Sequence, residues 1–212
     1  MQTIFFKNSP RILSGGSVAG PKECSGIVGK YVDRTLDDDT FGETTYEKAE
    51  CKMLKYAVNK AIENAGAVEK DVDMLISGDL LNQIISASFA ARDFDIPFLG
   101  VYGACSTLAE AYGLAATFID GGYAKKIVAA TGSHFSSAER QYRYPLELGN
   151  TRPPQSQWTV TGAGGAFIAD MGVSNSDVAI TSATFGKVVD FGITDVNNMG
   201  AAMAPDIGII GI

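Results

Sequence analysis

The sequence is sparing with the residues that usually mark a metal or redox centre: one histidine, one tryptophan and three cysteines among 212 residues. Cys24, Cys51 and Cys105 form no CxxC pair, and any disulfide scheme leaves an odd thiol. That pattern suits a reducing compartment and argues against a disulfide scaffold or a structural zinc site. No stretch approaches the roughly 20 apolar residues that span a bilayer, and "MQTIFFKNSP" has neither a basic leader nor a sustained apolar run. The expected location is the cytosol, or at most the periphery of a membrane. Basic residues are the minority, 17 Lys and Arg against 24 Asp and Glu, for a formal charge of −7. That balance argues against a phosphate-neutralising surface, and no nucleic-acid partner is expected.

What is present is a core. A hydrophobic content of 46% in a chain of this length is enough for one domain without disulfide or metal support. "RILSGGSVAGPKECSG" reads as a first strand turning into a loop, followed by an irregular acidic stretch. "TTYEKAECKMLKYAVNKAIENAG" offers Thr44 and Glu47 as a capping box, apolar residues at helical spacing, and Gly66 as the stop. "DVDMLISGD" reads as a strand, "LLNQIISASFAARDF" as a helix, and "PFLGVYG" as an extended segment restarted by Pro97. A further helix carries Leu108, Tyr112, Ala115 and Ile119 on one face and ends at Gly121 and Gly122; "KKIVAATGS" is the next buried strand. This alternation predicts an α/β fold with a mostly parallel sheet. "WTVTGAGGAFIAD" and "DVAITSATFGKVVDFG" read as neighbouring strands, with a polar, proline-bearing loop before them as a candidate lid or interface.

Cys105 stands where a strand gives way to a helix. Ligands collect at such junctions in α/β sheets, and the helix N-terminus offers free N–H groups and partial positive charge. The same field favours a thiolate or holds a ligand carboxylate; the competing reading is a small buried hydrophobe. His134 lies just past the carboxyl end of the following strand, beside Ser133, as a ligand-orienting group, a base or a satisfied structural side chain. Arg140, Arg143 and Arg152 are anion-pairing candidates, Trp158 reads as a core or interface anchor, and the "DDD" run as a solvated loop rather than a metal site.

"GVYGACSTLAEAYGLAATFIDGG" resembles the nucleophile elbow of the thiolase superfamily, in which a cysteine begins a helix buried between two sheets. With "RILSGGSVAGPKE", "YVDRTLDDDTFGETTYEKAE" and "ATGSHFSSAERQYRYPLELGNTRPPQSQWTVTGAGGAF", the resemblance narrows to a branch of that superfamily that serves endospore formation. It implies a layered αβαβα architecture built from two similar halves, with a mostly parallel mixed sheet, a buried central helix and dimerisation. Residues 1–195 would form the N-terminal thiolase-like domain, and 196–212 the truncated start of the C-terminal half.

The resemblance also implies a non-catalytic role: binding dipicolinic acid, as its calcium chelate, for uptake into the developing spore. Cys105, Ser133 and His134 would line the ligand cleft, with no cofactor and no metal site of the protein's own. Other spore membrane transport proteins would be partners, and the location cytoplasmic or peripheral to the spore inner membrane. The second catalytic group of thiolases comes from the C-terminal half, and His134 does not stand in that histidine motif. The alternatives are an acyltransferase with Cys105 as nucleophile, or an incomplete half-domain acting only as an assembly partner.

Overall fold

A computed structural model describes residues 2–81, 83–142, 159–173, 176–187 and 189–194. Its centre is a six-stranded sheet. In chain order the strands are β1 (Gln2–Phe5), β2 (Arg11–Ala19), β3 (Arg34–Thr35), β4 (Met74–Asp79), β5 (Phe98–Gly100), β6 (Lys126–Ser133), β7 (Gly162–Ala169) and β8 (Ser182–Phe185). The helices are α1 (Pro21–Cys24), α2 (Tyr46–Asn64), α3 (Ile85–Ala91), α4 (Thr107–Asp120) and α5 (Phe135–Tyr142).

The sheet runs β3-β2-β7-β6-β4-β5. β4 is parallel to both β5 and β6, and β2 to β3, while β7 lies antiparallel between β2 and β6. The β4–α3–β5 and β5–α4–β6 crossovers account for the parallel half, as the alternation of patterns predicts. The sequence reading of β7 and β8 as neighbours is corrected: β7 sits inside the large sheet, and β8 pairs with β1 in a separate two-stranded sheet. The small residues of Gly162–Ala169 let it fit between two strands, in unbroken register with β6 and around an irregularity between Ile12 and Ser14 with β2.

Period-two alternation divides the core. Val128, Ala130, Ala163, Phe167 and Ala169 face α2 and α3, joining Met53, Leu54, Ala57, Val58 and Ala87. Ile127, Ala129, Ala166 and Ile168 face α4, joining Ala111, Ala115 and Ile119. Burying each large side chain of this set contributes about 1.5–3 kcal/mol. Described by itself, the unit Phe5–Ala183 is thus three layers, helices on both faces of one sheet. The second compact unit comprises Met1–Ile4 and Thr184–Ile212, within which the Thr3 and Thr184 hydroxyls are hydrogen-bonded at 2.9 Å.

α2 starts one residue later than its sequence suggests. Thr45, rather than Thr44, is the N-cap, its hydroxyl accepting from the Lys48 N–H at 3.3 Å. Its buried residues recur at three and four, and Gly66 ends it at φ 66°, the left-handed conformation that favours glycine. α3 is shorter than its pattern, beginning at Ile85 after the left-handed Ile84. Two glycines permit close packing: a side chain at Gly16 would meet the α2 backbone at Ala57 and Ala61, and one at Gly78 would meet the Val101 carbonyl and Thr107. Arg143, Arg152, Trp158, the loop containing them and residues 196–212 lie outside the described residues, as does the side chain of Arg140.

Candidate functional site

β4, β5 and β6 run parallel, so their carboxyl ends form one rim, the usual ligand-binding edge of an α/β sheet. The chain leaves β5 and makes a single 3-10 turn, Ala104–Ser106, before entering α4. Ala104 is left-handed at φ 48°, an uncommon conformation for a residue with a Cβ. The turn is locked by its own polar groups. Thr107 Oγ1 accepts from the Gly103 N–H at 3.1 Å and donates to the Ala104 carbonyl at 2.7 Å, while Ser106 Oγ donates to the Gly103 carbonyl at 2.7 Å. Cys105, at the crest, is a free, exposed thiol. The reading of a small buried hydrophobe is therefore set aside.

Glu110, in the first turn of α4, went unnoticed in the sequence. Its Oε2 is buried without a hydrogen-bond partner, on the side facing Gly103. It brings a negative charge to the helix N-terminus, the same region that would attract a ligand carboxylate. The signal was available: an acidic residue in a first helical turn is the favourable arrangement.

Ser133, the last residue of β6, and His134 after it lie on the same rim but turn to other partners. Ser133 Oγ donates to the Val160 carbonyl at 2.6 Å. His134 is fully buried, with Tyr46 and Phe135 rings 4.8 and 5.1 Å from its own. The Ser136 N–H donates to its Nδ1 at 3.1 Å, so the proton sits on Nε2, which donates to the Asp39 carbonyl at 2.7 Å. Burial holds its pKa below the ordinary histidine value. Both nitrogens are thus committed to backbone groups, and His134 packs on the α2 face whereas Cys105 opens the helix of the opposite face. No contact among the described residues joins the two.

Beside Ser133 and His134 is a cavity of about 340 Å³ lined by Lys22, Glu23, Asp39, Phe135, Thr159 and Thr161. Glu23 Oε1 accepts from the Thr161 N–H at 3.0 Å, and its Oε2 is buried without a partner. Deeper on the α2 face, Glu50 is fully buried and accepts from Ser137 Oγ at 2.8 Å. Desolvation, with Asp79 nearby, pushes its pKa up to about 7. Asp79 is also buried and raised by desolvation, although the Leu81 and Ala87 N–H groups donate to it. The described residues contain no group of three or more His, Cys, Asp or Glu placed to hold a metal. No helix among them is long and apolar enough to cross a membrane.

Residues 1–208 match the family described as Stage V sporulation protein AD. The chain belongs to that family. The Stage V sporulation protein AD of Bacillus subtilis is 45% identical over 204 residues, which is 96% of this chain and 60% of that protein. The chain therefore spans about 60% of the length of this curated relative. Among solved structures, a cerulenin-bound OleA variant of Xanthomonas campestris superposes with a TM-score of 0.63 at 13% identity, covering 97% of this chain and 70% of that one. The 3-oxoacyl-(acyl carrier protein) synthase III, FabH, of Xanthomonas oryzae gives 0.52 at 15% identity, covering 81% and 59%. These likenesses establish the thiolase-like fold. In this chain the fold's elbow carries a free, exposed cysteine in the turn before the helix that bears Glu110, while His134 is bound to other groups.

Proposed function

We propose that this chain is a non-catalytic, thiolase-like binding protein of endospore formation whose ligand is dipicolinic acid as its calcium chelate, taken up into the developing spore. The observation that carries the reading is the state of His134 in a chain of this family. A general base for Cys105 needs a free nitrogen within reach, and both nitrogens of His134 are engaged by backbone groups on the other face of the sheet. Among the described residues His134 is thus not a base for the exposed thiol, which suits binding more than acyl transfer for the part of the fold that this chain contains.

The charges on the rim favour the chelate over the free dianion. Glu110 stands at the α4 N-terminus and Glu23 lines the cavity beside His134, both with a buried unpartnered oxygen. A bare dicarboxylate meets repulsion from these groups, whereas bound calcium cancels its charge and takes carboxylate oxygens as further ligands. Cys105 and Ser133 lie on the same rim.

A homodimer fits the edge of the sheet. Among the described residues β5 has a neighbour on one side only, and Ile85, Phe89, Phe98 and Tyr102 are exposed around it. Pairing of two such edges would satisfy backbone groups and cover that surface. Spore membrane transport proteins are the proposed further partners.

The test is a thermal-unfolding series with dipicolinate alone, calcium alone and both together. Stabilisation only with both supports the reading, and an unchanged melting temperature in all three overturns it for this chain. The acyltransferase reading is favoured by the left-handed Ala104 before an exposed thiol, and intact-mass measurement after incubation with acyl-CoA decides it.

A further inference from the structure

Away from the rim, between the loop after β3 and the outer side of α2, lies an open cavity of about 550 Å³ that the reading above does not use. Asp37 and Asp38 of the "DDD" run line it. Asp38 Oδ1 accepts from the Thr40 N–H and hydroxyl and from the Phe41 N–H, at 2.7–2.8 Å, and these bonds hold its pKa below the usual carboxylate value. The turn they define presents the Phe41 ring to the cavity, at φ 50° with the left-handed Gly42 behind it. Tyr56, on α2, supplies the second ring.

Arg34 lies over both. Its guanidinium carbon is 4.8 Å from the Phe41 centroid and 5.4 Å from that of Tyr56. Stacking explains where the group is held, but it uses the faces of the guanidinium and leaves its N–H edge unassigned. Among the described residues, no carboxylate lies within ion-pair distance of Arg34. The other two cations of the cavity are committed. Lys52 donates to the Phe41 carbonyl at 2.8 Å and pairs with Glu43 at 3.1 Å, and Lys55 pairs with Asp93 at 2.7 Å. Tyr56 and Asn59 also line the space.

We infer that this cavity is a second ligand site, one that takes a small aromatic monocarboxylate through the guanidinium of Arg34 and the rings of Phe41 and Tyr56. The planar fork of an arginine matches a carboxylate in bidentate fashion, and pre-stacking lowers the entropy lost on pairing. The parts of the rings not covered by Arg34, or by the Lys52 ammonium 4.7 Å from the Phe41 centroid, supply an apolar border for a flat body, and Tyr56 and Asn59 add polar groups to the lining. Charge sets the upper limit on the ligand. Asp37 and Asp38 line the same space, the latter turned to the Thr40 and Phe41 donors, and Glu43 and Asp93 offset the two lysines, so a polyanion such as phosphate meets more repulsion than Arg34 returns. The site stands apart from Cys105, so it neither needs nor excludes dipicolinate binding at the rim.

The test is a titration of the folded chain with naphthoate, followed through the amide resonances of Phe41, Gly42 and Tyr56, with neutral naphthamide and inorganic phosphate as controls. Saturable shifts are expected with naphthoate and not with either control. Arg34→Ala is expected to weaken naphthoate about tenfold or more, the loss of a charge-assisted bidentate pair. Arg34→Lys, which keeps the charge but not the fork, is expected to fall between, and Cys105→Ser to bind as the wild type does. Absence of saturable shifts at these amides overturns the inference, as does undiminished binding by both Arg34 variants. Loss of binding in Cys105→Ser alone would place naphthoate at the rim and equally overturn it.

Discussion

The Glu50 carboxylate, on the buried face of α2, accepts a hydrogen bond of 2.8 Å from the Ser137 hydroxyl of α5, although 87 residues separate them. This bond fastens the segment after His134 to the core. Only one oxygen of Glu50 is satisfied, and Asp79 is close enough to raise its pKa further. A carboxyl in that position is at ease when protonated and strained when ionised.

Stability should therefore fall as pH rises across neutrality. The folded pKa of Glu50, about 7, lies above its ordinary 4.5. Its contribution is fully present below about pH 4.5 and is lost as pH climbs through 7, by about 3 kcal/mol for a shift of this order. Asp79, shifted in the same direction by burial, adds to the trend, while the depressed His134 opposes it by destabilising the fold at acid pH. Chemical denaturation from pH 5 to 9 checks this. Glu50→Gln should flatten the decline between about pH 4.5 and 7, and an unchanged slope there would show that another group governs it.

His134→Ala should cost about 2–4 kcal/mol, the combined effect of an emptied buried site and of backbone groups left without partners. Equilibrium unfolding measures it. A cost below about 0.5 kcal/mol, the level of an ordinary surface change, would mean that the histidine is not held as described.

Gly78→Ala tests how α4 approaches the sheet. The added methyl would collide with the Val101 carbonyl and the Thr107 side chain at the start of α4. A loss of about 1–3 kcal/mol is expected, the range for overpacking a tight site. The turn bearing Cys105 should loosen with it, visible as faster amide exchange at residues 103–107.

Thiol reactivity should order by exposure. Cys105 is exposed, whereas Cys24 and Cys51 are half-buried, and burial raises the pKa of Cys51. Brief alkylation followed by peptide mass mapping should label Cys105 first. Incubation with acyl-CoA should add no acyl mass to Cys105.

Much of this was legible in local pattern. Helical spacing marks α2 and α4, the apolar run of β6 marks a buried strand, and the junction carrying Cys105 reads correctly as the start of a helix. Pairings between distant segments were not legible. Nothing local to Gly162–Ala169 states that it lies between β2 and β6, because its small residues suit packing on either side equally. The commitment of His134 depends on Asp39, 95 residues away, and on the Ser136 amide. Glu50 reads as an ordinary polar helix residue until α5 closes over it. The β3–α2 cavity appears only once Arg34, Phe41 and Tyr56 are brought together by β3 and the turn at Asp38.

The Cys105 rim is proposed to bind ligand without using the thiol as a nucleophile. Calorimetric titration of the wild-type chain and Cys105→Ser with dipicolinate, in the presence and absence of calcium, tests it most directly. Saturable heat for both proteins, only with calcium, is the predicted result. No heat from a folded sample under either condition, or binding abolished by the Ser substitution together with acylation of Cys105 in the wild type, would contradict it.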